Sequence, residues 1–132
     1  MDSISLPGTR FRIARAVEAD VPAIVTLLTD DPLGSKREDA PLACYLSAFN
    51  EITADEHQLL LVVKDSDGHV VGTTQLTLIP GLARGGAKRL HIEAVRLAPS
   101  VRGDGVGTAL FRAIGASSRR SERHVALVDS AR

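Results

Sequence analysis

The sequence predicts a single α/β domain in which a mixed β-sheet carries helices on its faces. The chain has 132 residues, 44% of them apolar, which suffices for one hydrophobic core and leaves no room for a second. Stretches with the period of strands alternate with stretches that have the period of helices. The last helical stretch stands between two strand-like stretches, and this order predicts a crossover connection within the sheet.

The first half of the chain is predicted to contain one strand and two helices. Residues 1–10 show no periodic pattern and are expected to form a flexible N-terminus. Residues 11–16 alternate apolar and basic side chains, which is typical of a strand. Asp20 is a helix-capping residue type, so the first helix should follow it, and the second should begin at Asp39. The composition of residues 29–38 indicates a loop between these helices.

The second half is predicted to be a hairpin followed by a strand–helix–strand unit. Residues 59–63 form a continuous apolar run, which suits a strand covered on both faces, and residues 70–79 form a second strand. The Asp-Ser-Asp-Gly sequence at 65–68 is a turn signal between them. After a glycine-rich loop at 80–88, the predicted elements are a strand at 90–97, a helix from Gly105 and a strand at 124–128.

Composition excludes several classes of protein. The 16 basic and 16 acidic residues cancel, so the basic excess typical of nucleic-acid or membrane-surface partners is absent, and neither partner is expected. The single cysteine, Cys44, rules out an internal disulfide framework and a cysteine-based zinc site, and no metal is predicted. Cys44 lies in an apolar helical pattern and is expected to be buried. With no signal peptide and no run of about 20 apolar residues, a cytoplasmic location is expected.

Three glycines mark the candidate binding site. Gly103, Gly105 and Gly107 stand between the predicted strand and the last helix, and Arg102 precedes them. Glycine lets the backbone turn its N–H groups inward and lets a ligand approach closely. The first turn of a helix adds unpaired N–H groups and a partial positive charge, and arginine can bind phosphate through two hydrogen bonds. This combination suits a pyrophosphate.

Two other phosphate motifs do not fit this segment. A P-loop needs a different glycine spacing and a lysine, which residues 103–108 lack. In the dinucleotide fingerprint the third glycine comes one residue later than Gly107 does here. A glycine-rich helix entry that binds nothing is the alternative that the glycines alone leave open.

The stretch HIEAVRLAPSVRGDGVGTAL at 91–110 resembles the acetyl-CoA signature of the GNAT N-acetyltransferase superfamily. That signature is a hydrophobic strand, a Pro-containing link and (Q/R)-x-x-G-x-(G/A) at the start of a helix, and Arg102, Gly105 and Gly107 fill its fixed positions. The order of elements matches the family as well. The resemblance implies an acyl-CoA N-acyltransferase fold with acetyl-CoA as co-substrate. It also implies a coenzyme A site formed by Val95, Arg96 and Leu97 along the pantetheine arm, and by Arg102, Gly103, Asp104, Gly105, Val106, Gly107 and Thr108 around the pyrophosphate.

The resemblance further implies acetyl transfer to an amine by direct attack, for which a base must remove a proton. Glu93 and His91 are the candidate catalytic residues, because they lie at i and i+2 of one strand and hence on one face. The alternatives are a structural pairing of Glu93 with an arginine such as Arg96, and a packing role for His91. The acceptor is expected to be an amine on a small molecule or a peptide. Acidic residues near the first helix connection, Asp30, Asp31, Glu38 and Asp39, lead to the hypothesis that it is cationic.

The sequence departs from the family at its C-terminal end. Family members continue with a further helix, which carries a tyrosine that protonates the leaving thiolate, and two more strands. Here the sequence ends at Arg132 and its one tyrosine is Tyr45, so the fold is expected to be truncated after the fifth strand and the proton must come from elsewhere, such as water. An exposed sheet edge at the C-terminus leads to the hypothesis of a homodimer.

The alternative function is a non-catalytic acyl-CoA-binding or interaction domain, or one that needs oligomerisation to complete its site.

Overall fold

The structure is a computed structural model that describes residues 3–30, 38–121 and 125–131, with side chains described as far as Gly115. Its strands are β1 (Ile4–Ser5), β2 (Arg12–Arg15), β3 (Gln58–Lys64), β4 (Val70–Ile79), β5 (Lys88–Leu97) and β6 (Val125–Ala131). Its helices are α1 (Val21–Thr29), α2 (Leu42–Ala54) and α3 (Val106–Ser121).

The described strands form one six-stranded sheet in the order β1-β2-β3-β4-β5-β6. Neighbours from β1 to β5 are antiparallel, whereas β6 pairs with β5 in parallel after the crossover through α3. The predicted mixed sheet with one strand–helix–strand unit is therefore confirmed. Strand β6 lies at an edge of this sheet, and the homodimer through that edge stays a prediction.

Both faces of the sheet are covered by helices. The continuous apolar run of β3 explains why: Leu61 and Val63 belong to one hydrophobic cluster and Val62 to the other, and all three are buried. Helix α3 covers the first face with Leu110, which is fully buried. Helices α1 and α2 cover the second face, where the cluster around Val62 includes Ile24. Because alternate residues of a strand point to opposite faces, the run predicted as doubly covered is confirmed.

The N-terminal residues 3–10, expected to be flexible, are part of the fold. Strand β1 pairs with β2, and the side chain of Leu6 is 0% exposed within the core. The N–H of Leu6 donates to the carbonyl oxygen of Phe11 at 2.9 Å. A two-residue strand is too short to give a periodic signal, and its burial depends on partners elsewhere in the chain.

Two local expectations differ from the structure. Asp20 does not cap α1 through its side chain; its carboxylate accepts a hydrogen bond from the N–H of Val17 (2.9 Å) and lies 3.4 Å from Nζ of Lys64. The prediction that Cys44 is buried was wrong, since it is exposed. Half-buried Phe49 is the residue of α2 that packs against the cluster around Val62, and Cys44, five positions earlier, lies on another side of the helix.

The loop predicted at 80–88 contains a helical turn at Ala83–Gly86, in which Arg84 adopts a left-handed conformation (φ 57°). Within the described residues no helix has the length and apolar character that crossing a bilayer requires.

Candidate functional site

The glycine loop connects β5 to α3 and is fixed at both ends by buried side chains. A short 3-10 turn, Pro99–Val101, follows β5, and α3 begins at Val106. Val101 is 3% exposed and Val106 is 1% exposed, so each end of the loop is anchored in the core. The residues between them, 102–105, are exposed. The core therefore holds this loop at the surface in a defined position at the start of the helix.

Gly103 and Gly105 are required by backbone conformation rather than by crowding. Their φ angles are +87° and +77°, and a Cβ atom added to either would meet nothing within 4 Å. A side-chain-bearing residue in this left-handed region costs roughly 1–2 kcal/mol. The space in front of the loop is open among the described residues, as a bound anion requires.

The main chain of the loop offers donors to such an anion. The first N–H group bonded within α3 is that of Ala109, which donates to the carbonyl oxygen of Gly105 at 3.0 Å. The N–H groups of Val106, Gly107 and Thr108 precede it and have no intrahelical acceptor. The N–H groups of Arg102 and Asp104 are used within the turn, where they donate to the carbonyl oxygens of Pro99 (3.4 Å) and Val101 (3.2 Å). The main-chain N–H groups of this segment that lack an intrahelical acceptor therefore belong to the first turn of α3.

The side chain of Arg102 lies beside this turn and contacts the end of α1. Its Nη2 donates to Oδ2 of Asp30 at 3.1 Å, across 72 residues of sequence. The two side chains are 56% and 42% exposed. Asp30 is the C-cap residue of α1, where the partial negative charge of the helix end disfavours a carboxylate. The cation of Arg102 offsets that charge and is itself partly neutralised.

Strand β5 contains a β-bulge next to the predicted catalytic residues. Gln75 of β4 pairs with Glu93 and Thr73 pairs with Arg96, so that Thr74 alone faces two residues of β5, Ala94 and Val95. Ala94 has a φ of +53°, which is uncommon for a residue other than glycine. The hydroxyl of buried Thr74 donates to the carbonyl oxygen of Glu93 at 3.1 Å and holds the bulge. Such bulges redirect a strand and recur beside active sites.

The residues predicted to contact pantetheine follow this bulge. Strand β6 pairs with β5 from Lys88 to Glu93, and the described part of β6 has no register partner at residues 94–97. Val95, Arg96 and Leu97 thus lie where the parallel pairing has ended, and Nη1 of Arg96 donates to the carbonyl oxygen of Val95 at 2.9 Å.

Glu93 and His91 lie close together, as their spacing predicts. Nε2 of His91 is 4.0 Å from Oε2 of Glu93, and the side chains are 22% and 42% exposed. This contact is an ion pair only when His91 is protonated. Glu93 immediately precedes Ala94, so its carboxylate lies at the bulge and is open to solvent.

The acidic residues of the first helix connection are distributed over separate contacts. Asp30 pairs with Arg102, and Glu38 accepts a hydrogen bond from the hydroxyl of Tyr45 (3.2 Å). Partial burial and the negative charge of Glu38 raise the pKa of Tyr45. Asp39 is exposed and Asp31 lies outside the described residues. The structure brings none of the described acidic residues of this connection into contact with Glu93.

Sequence reasoning missed two features of this site: the role of Thr74 at the bulge and the contact of Asp30 with Arg102. Thr74 gives no signal in the sequence, because its role depends on the register of β4 against β5. The negative charge of Asp30 was visible, but its contact with Arg102 required the packing of α1.

Comparison with known proteins places these features in a family. The model of the Acetyltransferase (GNAT) family matches residues 21–128. A transcriptional regulator from Bacillus halodurans C-125 has 32% sequence identity and a TM-score of 0.82, over 91% of this chain and 80% of that one. A Trypanosoma brucei acetyltransferase has 26% identity and a TM-score of 0.74, over 92% and 82% of the two chains.

A more distant structure, a predicted acetyltransferase from Clostridium acetobutylicum solved with acetyl-CoA, has 13% identity and a TM-score of 0.67, over 92% and 80%. A search of curated protein sequences finds no match. The predicted fold is confirmed by these likenesses, whereas the individual site residues stay predictions. Since the family match covers most of the chain, this protein belongs to the acetyltransferase (GNAT) family.

Proposed function

We propose that the protein is an N-acetyltransferase that moves the acetyl group of acetyl-CoA to a primary amine by direct attack. Family membership supports acetyl transfer in general. The observation that carries the finer proposal is the position of Glu93, a carboxylate one residue before the bulge on the strand that leads to the glycine loop. The residues proposed as proton acceptor and as anion site thus belong to one strand–loop–helix unit.

The coenzyme half of the site is formed by main chain and one cation. The N–H groups of Val106, Gly107 and Thr108, with the partial charge of the helix start, would hold the pyrophosphate, and Arg102 would add its guanidinium. The edge of β5 at Val95–Leu97 would pair with the amide groups of the pantetheine arm in the manner of an added strand. One solved structure with the same fold holds acetyl-CoA, which is consistent with this assignment.

The acceptor half is formed by Glu93 and the sheet face around it. Acetyl-CoA supplies an activated acetyl group as a thioester. The amine nitrogen forms a bond to the acetyl carbon, and the carbon–sulfur bond breaks. The proton of the amine passes to the carboxylate of Glu93, which then releases it to solvent, and the thiolate takes a proton from solvent. Main-chain N–H groups at the bulge, near Val95, would stabilise the oxyanion. His91, 4.0 Å from Glu93, would support its negative charge when protonated.

The test combines calorimetry with an acetyl-transfer assay. We expect the protein to bind coenzyme A and to release it from acetyl-CoA in the presence of primary amines. Glu93→Gln should lower kcat by about 10²–10⁴-fold, the usual contribution of a general base, with coenzyme A affinity retained. Glu51→Gln, at an exposed position on α2, is the matched control. Coenzyme A binding without transfer to any primary amine would favour the non-catalytic acyl-CoA-binding domain, and absence of binding would contradict both functions.

A further inference from the structure

Five polar side chains form a continuous strip on the sheet face that also carries α1 and α2. Two rows of the register define it: Gln58, Thr77 and His91 stand side by side in one row, and Gln75 and Glu93 in the next. Directly paired residues of neighbouring strands point to the same face. The polar strip is thus Gln58, Gln75, Thr77, His91 and Glu93, and all five are half-buried.

The hydrogen bonds within the polar strip leave polar atoms of Gln58 and Gln75 available for a ligand. Oε1 of Gln58 accepts from Nε2 of Gln75 at 2.9 Å and from Oγ1 of Thr77 at 2.8 Å. Among the described residues, the amide nitrogen of Gln58 and the amide oxygen of Gln75 have no further partner. An amide has two donor hydrogens and two acceptor lone pairs. The strip therefore presents a donor and an acceptor together, beside the Glu93 carboxylate.

Beyond the polar strip, this sheet face is apolar on β3, whereas the next row on β4 and β5 holds Thr73 and Arg96. Leu60 and Val62 continue it toward α1 and α2, where they pack in the cluster with Ile24. Polar groups at partly buried positions lose hydration that apolar side chains would not lose. The polar strip adjoins this apolar cluster, because Leu60 stands in the same row as Gln75 and Glu93, and it ends at Glu93, next to the bulge.

We propose that the polar strip binds the part of the acceptor next to its amino group, and that the acceptor is an amine with a neutral hydroxyl or amide group close to the nitrogen. This inference rests on the proposed function. Neighbouring strands lie about 4.8 Å apart. When the amine nitrogen of the acceptor contacts Glu93, a group roughly three or four bonds away from that nitrogen would therefore reach Gln75. The amide oxygen of Gln75 and the amide nitrogen of Gln58, whose amide Thr77 holds in place, would meet a group that both donates and accepts hydrogen bonds. An alkyl chain offers no such group.

The test uses two acceptors of equal length, 3-amino-1-propanol and n-butylamine, with acetyl-CoA. We expect wild-type kcat/KM to be about tenfold higher for the amino alcohol, the value of one hydrogen bond of about 1.4 kcal/mol. Thr77→Val and Gln75→Leu should bring this preference within about twofold, mainly by raising KM for the amino alcohol. Thr53→Val, at an exposed position on α2, is the control and should leave the preference intact.

Each outcome bears on a separate claim. The role of the polar strip would be overturned if the wild-type protein acetylated both amines equally. It would also be overturned if the variants kept the tenfold preference and unfolded at the wild-type temperature. Either outcome would leave the acetyltransferase proposal standing. Failure to acetylate any amine despite coenzyme A binding would refute the proposed function, and the role of the polar strip with it. Gln75→Leu keeps the test open if Thr77→Val does not fold.

Discussion

Replacement of Gly105 by alanine separates the role of the glycine loop in folding from its proposed role in binding coenzyme A. Gly105 has a φ of +77°, and an added Cβ would meet nothing within 4 Å. The cost to folding is therefore conformational, about 1–2 kcal/mol. Gly8, outside the site, has the same φ of +77° and the same open surroundings. Gly8→Ala is thus a matched control that carries the same backbone strain without touching the binding loop.

The two variants should unfold alike and bind differently. In thermal or denaturant unfolding, both are expected to lose about 1–2 kcal/mol. Only Gly105→Ala changes the direction of the N–H groups at the start of α3 or places a methyl group in front of them. A hydrogen bond to a charged group is worth about 1.5–3 kcal/mol, so calorimetry should show coenzyme A binding weakened by about ten- to hundredfold. Equal affinity of the two variants for coenzyme A would refute the assignment of the pyrophosphate to this loop.

Three further predictions concern charge, packing and pH. Asp30→Asn should tighten coenzyme A binding by about two- to fivefold, because Asp30 competes with the coenzyme for Arg102 and an exposed ion pair is worth up to about 1 kcal/mol. Unchanged affinity in calorimetry would contradict that competition. Gly72→Ala should lower the free energy of unfolding by about 1–3 kcal/mol, because its Cβ would lie 2.9 Å from Cδ2 of Leu97; a denaturant midpoint equal to wild type would disprove the close contact. The hydrogen bond from the N–H of His69 lowers the pKa of Asp65, so this carboxylate stabilises the fold above its ordinary pKa of about 4 and the stabilisation is lost as pH falls. The stability difference between wild type and Asp65→Asn should therefore shrink from pH 7 to pH 3, and a constant difference would show that the ionised form has no such role.

The glycine loop was the part of the site most open to prediction from sequence. Its features are neighbours along the chain: the arginine, the glycines that need a left-handed backbone and the helix that follows them. Their pattern can therefore be recognised from the sequence without knowledge of the fold. The same holds for β3 and β4, whose turn at 65–68 is marked by residue type. Strand β1 escaped prediction because its short length gives no period and Leu6 is buried by distant partners.

The acceptor half depended on the tertiary structure. The bulge at Ala94 exists because β4 and β5 pair in a register that leaves Thr74 opposite two residues. The polar strip needs the same register, and a slip of one residue would turn its side chains to the opposite face. The contact of Asp30 with Arg102 spans 72 residues.

The sequence by itself determined the order of the main elements from β2 onward, the crossover and the loop suited to a pyrophosphate, because these follow from periodicity and from the conformational needs of adjacent residues. Only the tertiary structure decided which polar side chains share a face with Glu93 and which carboxylate meets Arg102. Those relations arise from strand register and helix packing, which are set by burial over the whole sheet and not by any local stretch of the chain.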